Sequence, residues 1–265
     1  MVILLKLNKE QYTEHIKDEE QLINMRKILD KVEIVLNKYT CQTTDFLNPY
    51  ERRLARSILN RFSDIQYMEV GGIEEAERKL FQIYPYFIQN QDLEVPIAAF
   101  KVEGYNQQLN HRHLLGSILG LGINRSKVGD ILIHEGYCQF IVKEEIAPFI
   151  LTSLSKVGNE RVRISQISLQ ELKPTQLEYD NKWLTLSSLR LDVLISNVCN
   201  LSRKDSQKVI ESEKVKINWE PTDKVAKIVE VGDMISVKGF GRFILSEIQG
   251  FSKKGRIKVE VKLLK

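Results

Sequence analysis

Between residues 86 and 170 the hydrophobic pattern alternates between strand-like and helix-like segments, and the order of these segments constrains the fold of this chain most strongly. Stretches rich in apolar and β-branched residues, bounded by turn residues, predict strands, and longer stretches with helical spacing predict helices. The predicted strands are residues 96–103, 128–134, 137–142 and 161–167, and the predicted helices are residues 111–121 and 144–157. The order β-α-β-β-α-β with short connections is that of the split βαβ motif.

This order predicts a ferredoxin-like domain over residues 86–172, a fold that RNA-recognition (RRM-like) modules share. Two residues disfavour base stacking on its sheet. Glu135 stands where such modules carry a basic residue, and Gln139 stands where they carry a second stacking aromatic. We therefore expect this domain to dock on a protein or a ribosome.

The flanking regions predict two further domains, so the chain as a whole is predicted to be α+β with three domains. Residues 1–85 form a mainly helical domain: an amphipathic stripe over residues 9–39 is broken near residues 18–20, and Pro49 suits the first turn of a helix that continues to Arg61. Two glycines at 71–72 predict a turn before a strand over residues 78–84.

The third predicted domain spans residues 183–265, after a polar linker at 173–182. It begins with two short helices and continues with strands. The helices are predicted at 189–198 and 203–212, and the strands at 215–219, 234–238, 242–245 and 257–264. Ser202 is placed to cap the second helix, with Asp205 three residues later completing a capping box.

Positive charge is concentrated in this third domain. Residues 183–265 hold 16 Lys and Arg against 10 Asp and Glu, a net charge of +6, whereas the other residues have a net charge of −2. Charge confined to one end is typical of a nucleic-acid contact surface. The alternative is a lysine-rich solvated surface.

Several classes of protein and site are disfavoured. The chain has no apolar run of the roughly 20 residues that cross a bilayer, so we expect no membrane insertion. Three separated cysteines predict neither a disulfide framework nor a zinc site, and we expect a cytoplasmic protein without cofactor or metal.

His111 and His113 point to different helix faces and lack carboxylate or cysteine neighbours, so helix-entry capping or RNA contact is preferred to metal binding.

Four segments of the third domain occur in a recognisable order. They are residues 189–195, 201–210, 215–218 and 231–237. Together they resemble the S-four RNA-binding domain, also called the alpha-L domain. The resemblance implies RNA contacts at Arg190, Ser202, Arg203, Lys204, Gln207, Lys208, Lys216 and Asn218, with Lys238 and Arg242 as a second group. The sequence departs from the domain's pattern at Glu213, where a glycine usually ends the second helix, and at Ser206, where alanine is common.

Helix geometry agrees with this resemblance. Lys204 and Lys208 are four residues apart and share a helix face, and Arg203 and Gln207 do the same. Such a helix can rest on its apolar stripe and present cations to phosphates, which supply most of the affinity for RNA.

Asp192 needs separate treatment because an Arg-Leu-Asp triplet also surrounds the catalytic aspartate of pseudouridine synthases. Here apolar residues follow it on the same helix, and it lies in the first turn near the positive end of the helix dipole. We therefore expect it to stabilise the helix and orient an arginine. An RNA-modifying enzyme that uses the domain as a tether is the alternative.

A wider set of segments resembles the bacterial YlmH family. These segments are residues 71–72, 75–79, 84–85, 111–113, 115–116, 119–123, 128–131, 218–219 and 238–243. The resemblance implies a non-enzymatic protein that binds ribosomal RNA or tRNA on a large ribosomal subunit carrying an obstructing peptidyl-tRNA, in quality control of stalled nascent chains. A role as an adaptor for cell-division proteins is the other implication.

Overall fold

A computed structural model describes residues 5–104, 110–175 and 178–264. The chain divides into two compact units between Thr175 and Gln176. Each unit has its own apolar core and is described by itself.

The amino-terminal part of the first unit packs three helices on a small antiparallel sheet. The helices are α1 (Lys9–Thr13), α2 (Glu19–Lys38) and α3 (Pro49–Leu59), and the strands are β1 (Gln42–Thr43), β2 (Ile65–Val70) and β3 (Leu80–Pro85) in the order β1-β3-β2. The predicted break is confirmed, since the Asp18 side chain caps α2. Asn48 and Glu51 form a capping box around Pro49 at the start of α3, as its sequence favours.

The rest of the first unit is the predicted ferredoxin-like sheet. Its strands are β4 (Ile97–Glu103), β5 (Val128–His134), β6 (Tyr137–Lys143) and β9 (Arg163–Ile167), and its helices are α4 (His111–Gly120) and α5 (Ala147–Ser153). The strand order β5-β6-β4-β9, antiparallel throughout, confirms the split βαβ topology.

The end of α5 was predicted wrongly. The helix stops at Ser153, and a hairpin follows, in which β7 (Lys156–Val157) pairs with β8 (Glu160–Arg161). Gly158 has φ +60° and lies in the two-residue turn of this hairpin. A glycine in the left-handed region suits a hairpin turn as well as a helix end, so its sequence signal was ambiguous.

Apolar cores cover the central part of the four-stranded sheet on both faces. Phe100, Val102 and Phe140 face the core beneath α4 and α5. On the other face, Phe46 and Leu80 from the amino-terminal part pack with Ile97, Ala99, Ile141 and Leu172. The Phe46 ring lies so close to Gly129 that a Cβ there would be 2.9 Å from Cε1. Two predicted domains therefore share a core and form one compact unit.

The second unit packs two helices on one side of an antiparallel six-stranded sheet. The helices are α6 (Leu191–Val198) and α7 (Arg203–Glu211). The strands are β10 (Tyr179–Leu186), β11 (Val215–Ile217), β12 (Glu220–Pro221), β13 (Met234–Val237), β14 (Gly241–Phe251) and β15 (Ile257–Leu264), in the order β10-β15-β14-β13-β11-β12. Leu191, Leu194 and Ile210 from the helices meet Val259 and Val261 of the sheet in the core.

Three predicted boundaries in this unit were wrong. The last four residues of the predicted linker belong to strand β10, which continues to Leu186 and pairs with β15 along its whole length. The strand predicted to reach Trp219 ends at Ile217, because Asn218 (φ +49°) and Trp219 (φ +66°) form the turn into β12. Strand β14 continues to Phe251, past the predicted end at Leu245, after a bulge that sequence patterning does not reveal.

Candidate nucleic-acid interface

A buried carboxylate lies among the RNA contacts that were predicted on the two helices. Asp192, in the first turn of α6, is 0% exposed. Its Oδ1 accepts a hydrogen bond from Arg190 Nε at 3.0 Å, and its Oδ2 accepts one from Arg203 Nε at 3.1 Å. The expected arginine-orienting position of this aspartate is therefore confirmed, and it holds two arginines rather than one.

The electrostatics of this cluster favour a charged aspartate. Burial alone would raise the pKa of Asp192, but hydrogen bonds from Arg190, Arg203 and Gln207 outweigh it and hold the pKa below its usual range. The ionised carboxylate therefore restrains both guanidinium groups. The side chain of Arg190 remains 36% exposed and that of Arg203 59% exposed, so each keeps a surface for a second anion.

Local sequence sets the position of α7 against α6. The Ser202 hydroxyl accepts a hydrogen bond from the backbone N–H of Asp205 at 3.1 Å, which caps α7 as predicted. The capping box was predicted wrongly in its other half, since the Asp205 carboxylate accepts from the Ser202 hydroxyl and not from its backbone N–H. Ser206, the departure from alanine, is buried with its hydroxyl 3.0 Å from the Asp192 carbonyl oxygen, which ties the two helices together.

The outward side of α7 is cationic. Arg203, Lys204 and Lys208 are all exposed, whereas Gln207 is half-buried with Nε2 3.5 Å from Asp192. Lys208 lies 3.8 Å from the Asp205 carboxylate, a loose and solvated pair that leaves its ammonium available. We call Arg190, Arg203, Lys204 and Lys208 the helical cation cluster.

Two other predicted contacts lie on the opposite side of the sheet. Val215, Ile217 and Phe243 face the core beneath the helices. Because side chains alternate along a strand, Lys216 and Arg242 point away from the helices, and the register Lys216–Ser236–Arg242 aligns them in one row. The structure therefore does not bring these two residues together with the helical cation cluster.

Lys238 and Asn218 also have settings that the sequence did not show. The Lys238 backbone N–H donates to the Lys214 carbonyl oxygen at 2.9 Å. The exposed Lys214, which was not among the predicted contacts, therefore lies beside Lys238. Asn218 uses its amide inside the fold: Nδ2 donates to Asp233 Oδ1 at 2.7 Å, and Oδ1 accepts from the Met234 N–H at 3.0 Å. Asn218 thus fixes the turn after β11, and its RNA contact stays a prediction.

Sequence reasoning missed one further cation. Lys182 Nζ donates to the carbonyl oxygens of Asn197 and Val198, each at 3.1 Å, at the negative end of α6. It lay inside the segment predicted to be a linker. Glu213 adopts φ +56°, which explains why a glycine is usual at this position.

Over residues 5–104, 110–175 and 178–264, no three His, Cys, Asp or Glu side chains are grouped as metal ligands. In those same stretches, no helix combines the length and the apolar character needed to span a bilayer. The helix-entry capping considered for His111 and His113 belongs instead to Asn110, whose side chain accepts from the His113 N–H.

Comparisons with known proteins match most of the chain. Family models of the YlmH N-terminal domain, the YlmH RNA-binding domain and the S4 domain match residues 20–86, 89–171 and 189–235. The Ribosome-associated protein quality control protein P2 of Bacillus subtilis (strain 168) is 33% identical over 245 residues, which are 92% of this chain and 94% of that protein.

A solved structure shows the same fold over part of the molecule. The cell division protein ylmH from Streptococcus pneumoniae superposes with a TM-score of 0.52 at 22% identity. The match covers 58% of this chain and 95% of that one.

Proposed function

From the premise that the chain belongs to the YlmH family, we propose that it is a non-catalytic RNA-binding protein of the ribosome that acts on stalled nascent chains. Its Bacillus subtilis relative is named for ribosome-associated protein quality control. The proposed place of action is the cytoplasm, and the proposed partner is ribosomal RNA or tRNA on a large subunit that still carries peptidyl-tRNA.

The observation that carries this proposal is the restraint of Arg190 and Arg203 by buried Asp192. An arginine that is already oriented loses less conformational entropy when it binds a phosphate, so its contact stabilises the complex more. Lys204 and Lys208 extend the cationic surface along α7. Phosphate contacts from these four side chains would supply most of the affinity.

Short helices with cations on one side suit the recognition of folded RNA by its shape better than the reading of a base sequence. Duplex RNA is recognised largely by shape and by contacts to phosphates and 2′-hydroxyls, because its deep groove does not admit side chains. Ribosomal RNA and tRNA both present such helices, and the ribosome-associated relative favours this class of RNA over free transcripts.

The setting of Asp192 also argues against a pseudouridine-synthase-like reaction. A nucleophilic carboxylate must reach the base, yet this side chain is fully buried and bonded to two arginines. We therefore propose that the helical cation cluster holds RNA and does not modify it.

The test is co-sedimentation of the purified protein with large ribosomal subunits at low ionic strength. Arg203→Glu with Lys208→Glu reverses two charges of the cluster, and we expect at least about a hundredfold weaker binding. The matched control is Arg26→Glu with Lys27→Glu, which makes the same charge change at two exposed positions of α2. Equal binding by both folded double variants would refute the assignment of α7.

A further inference from the structure

The open side of the second unit's sheet carries an exposed tryptophan. Trp183 lies in the middle of β10 and is 63% exposed, whereas Leu184 and Leu186 on either side of Thr185 pack toward the core. Because successive side chains of a strand point to opposite faces, Trp183 lies on the side of the sheet away from α6 and α7, which we call the outer face.

Lysines flank this indole on the neighbouring strand. Trp183 pairs with Glu260 of β15, while Lys258 and Lys262 pair with the residues two positions away on each side. Diagonal neighbours across an antiparallel pair lie within reach of long and aromatic side chains. The Glu260 carboxylate accepts a hydrogen bond from the Ser246 hydroxyl at 3.1 Å, so part of its charge is engaged inside the sheet.

The outer face has an excess of positive charge. Its cations are Lys216, Arg242, Lys258 and Lys262, and its carboxylates are Glu247 and Glu260. The face is therefore complementary to a polyanion. Lys216 and Arg242, which the structure separates from the helical cation cluster, belong to this second surface.

We propose that the outer face binds unpaired nucleotides of RNA, with one base stacked on Trp183 and neighbouring phosphates on Lys258 and Lys262. The proposal rests on the RNA-binding function proposed above and adds a second surface to it. Any base presents a π-face to an indole, and lysines that follow the backbone complete a single-strand site. Single-stranded RNA is thus the occupant that this combination of ring and charge fits.

The surroundings of Trp183 favour RNA over a protein partner. Protein docking sites usually form a contiguous apolar patch. Here the side-chain neighbours of the ring on its own strand are Asn181 and Thr185, and the neighbours across are two lysines and a glutamate. Because the immediate neighbours of the ring are polar, it suits a stacking platform better than the centre of an apolar interface.

The experiment uses the full chain and two RNAs: a blunt hairpin, and the same hairpin with an unpaired tail of about six nucleotides. The chain has two tryptophans, so Trp219→Phe leaves Trp183 as the fluorophore. We expect the tail to tighten binding about tenfold and to quench Trp183 fluorescence. Trp183→Leu should remove the tail's contribution while leaving binding of the blunt hairpin unchanged.

One control variant and the binding of the unaltered protein make the outcomes distinct. Phe149→Leu removes an exposed aromatic ring from the first unit and should leave both affinities unchanged. If the tail tightens binding equally in Trp183→Leu, or if it does not quench Trp183, the outer-face site is refuted. If the unaltered protein binds neither RNA, the proposed function itself fails.

Discussion

The two main sheets of this protein differ in how many faces they bury. The sheet β5-β6-β4-β9 is covered on one side by its own helices and on the other by Phe46, Leu80 and Leu172. The sheet of the second unit buries one face and leaves cations and Trp183 on the other. A fold shared with RNA-recognition modules thus does not by itself supply a stacking surface, because the face must also be open.

Two aspartates show the same contrast at the level of single side chains. Asp130 accepts hydrogen bonds from the backbone N–H groups of Glu77 and Arg78, and burial raises its pKa. Asp192 instead bonds two arginine side chains that reach solvent, and its pKa is lowered. The first carboxylate fixes the backbone, whereas the second restrains two cationic side chains.

The largest effect should come from opening the closed sheet. Phe46→Ala removes a buried ring, and we expect the free energy of unfolding of the first unit to fall by about 4 kcal/mol. Chemical denaturation measures this loss. RNA affinity of the folded variant should not change, and a gain of tenfold or more would mean that Phe46 occludes a working RNA surface.

Asp192→Asn should have the next largest effect. It removes the charge that restrains Arg190 and Arg203, and we expect stability to fall by about 2 kcal/mol and RNA affinity by about tenfold. Asp205→Asn is the matched control, since that carboxylate is exposed on α7. The control should lose little stability and bind RNA slightly more tightly. Unchanged RNA affinity in Asp192→Asn would contradict the orienting role.

The stability difference between the unaltered protein and Asp192→Asn should depend on pH. Because the pKa of Asp192 is lower in the folded state, the stabilisation is complete above the unfolded pKa of about 3.9 and is lost as pH falls through the folded value. Denaturation at a series of pH values should therefore give a constant difference above about pH 5 and a shrinking one in stronger acid. A difference that grows on acidification would show the opposite shift.

The smallest effect concerns the end of α7. Glu213 holds a left-handed backbone that costs a non-glycine residue about 1 kcal/mol, so Glu213→Gly should raise stability by roughly that amount. Thermal unfolding measures the gain. Glu213→Gln separates the effect of the backbone from that of the charge, because it keeps the strained backbone and should leave stability unchanged. Both variants lose the negative charge of Glu213, so both should bind RNA slightly more tightly.

Much of the fold could be predicted from sequence because its signals are local. Pro49 and Ser202 each mark a helix start that the structure confirms, and Asp18 caps α2 at the break predicted near residues 18–20. Strand β10 was hidden because its outer face mixes Trp183 with polar residues, so a strand resembled a linker. The packing of Phe46 against the four-stranded sheet is a long-range contact that no local pattern predicts.

The candidate site likewise has features that local spacing predicts and features that depend on long-range packing. Helical spacing predicted that Arg203 and Gln207 share a face, and both reach Asp192. The assignment of Lys216 and Arg242 to the opposite side depends on strand register, which the segments alone do not provide. The role of Ser206 depends on the packing of α7 against α6, and only the structure shows it.

The central claim is that the helical cation cluster binds RNA phosphates, and the ionic-strength dependence of binding tests it most directly. Four phosphate contacts predict that the logarithm of the affinity of the full chain for a blunt hairpin falls with the logarithm of salt concentration with a slope of about −3.6. In Arg203→Glu with Lys208→Glu, the slope should be shallower by about half. A salt-independent affinity, or the same slope in both proteins, would contradict the account.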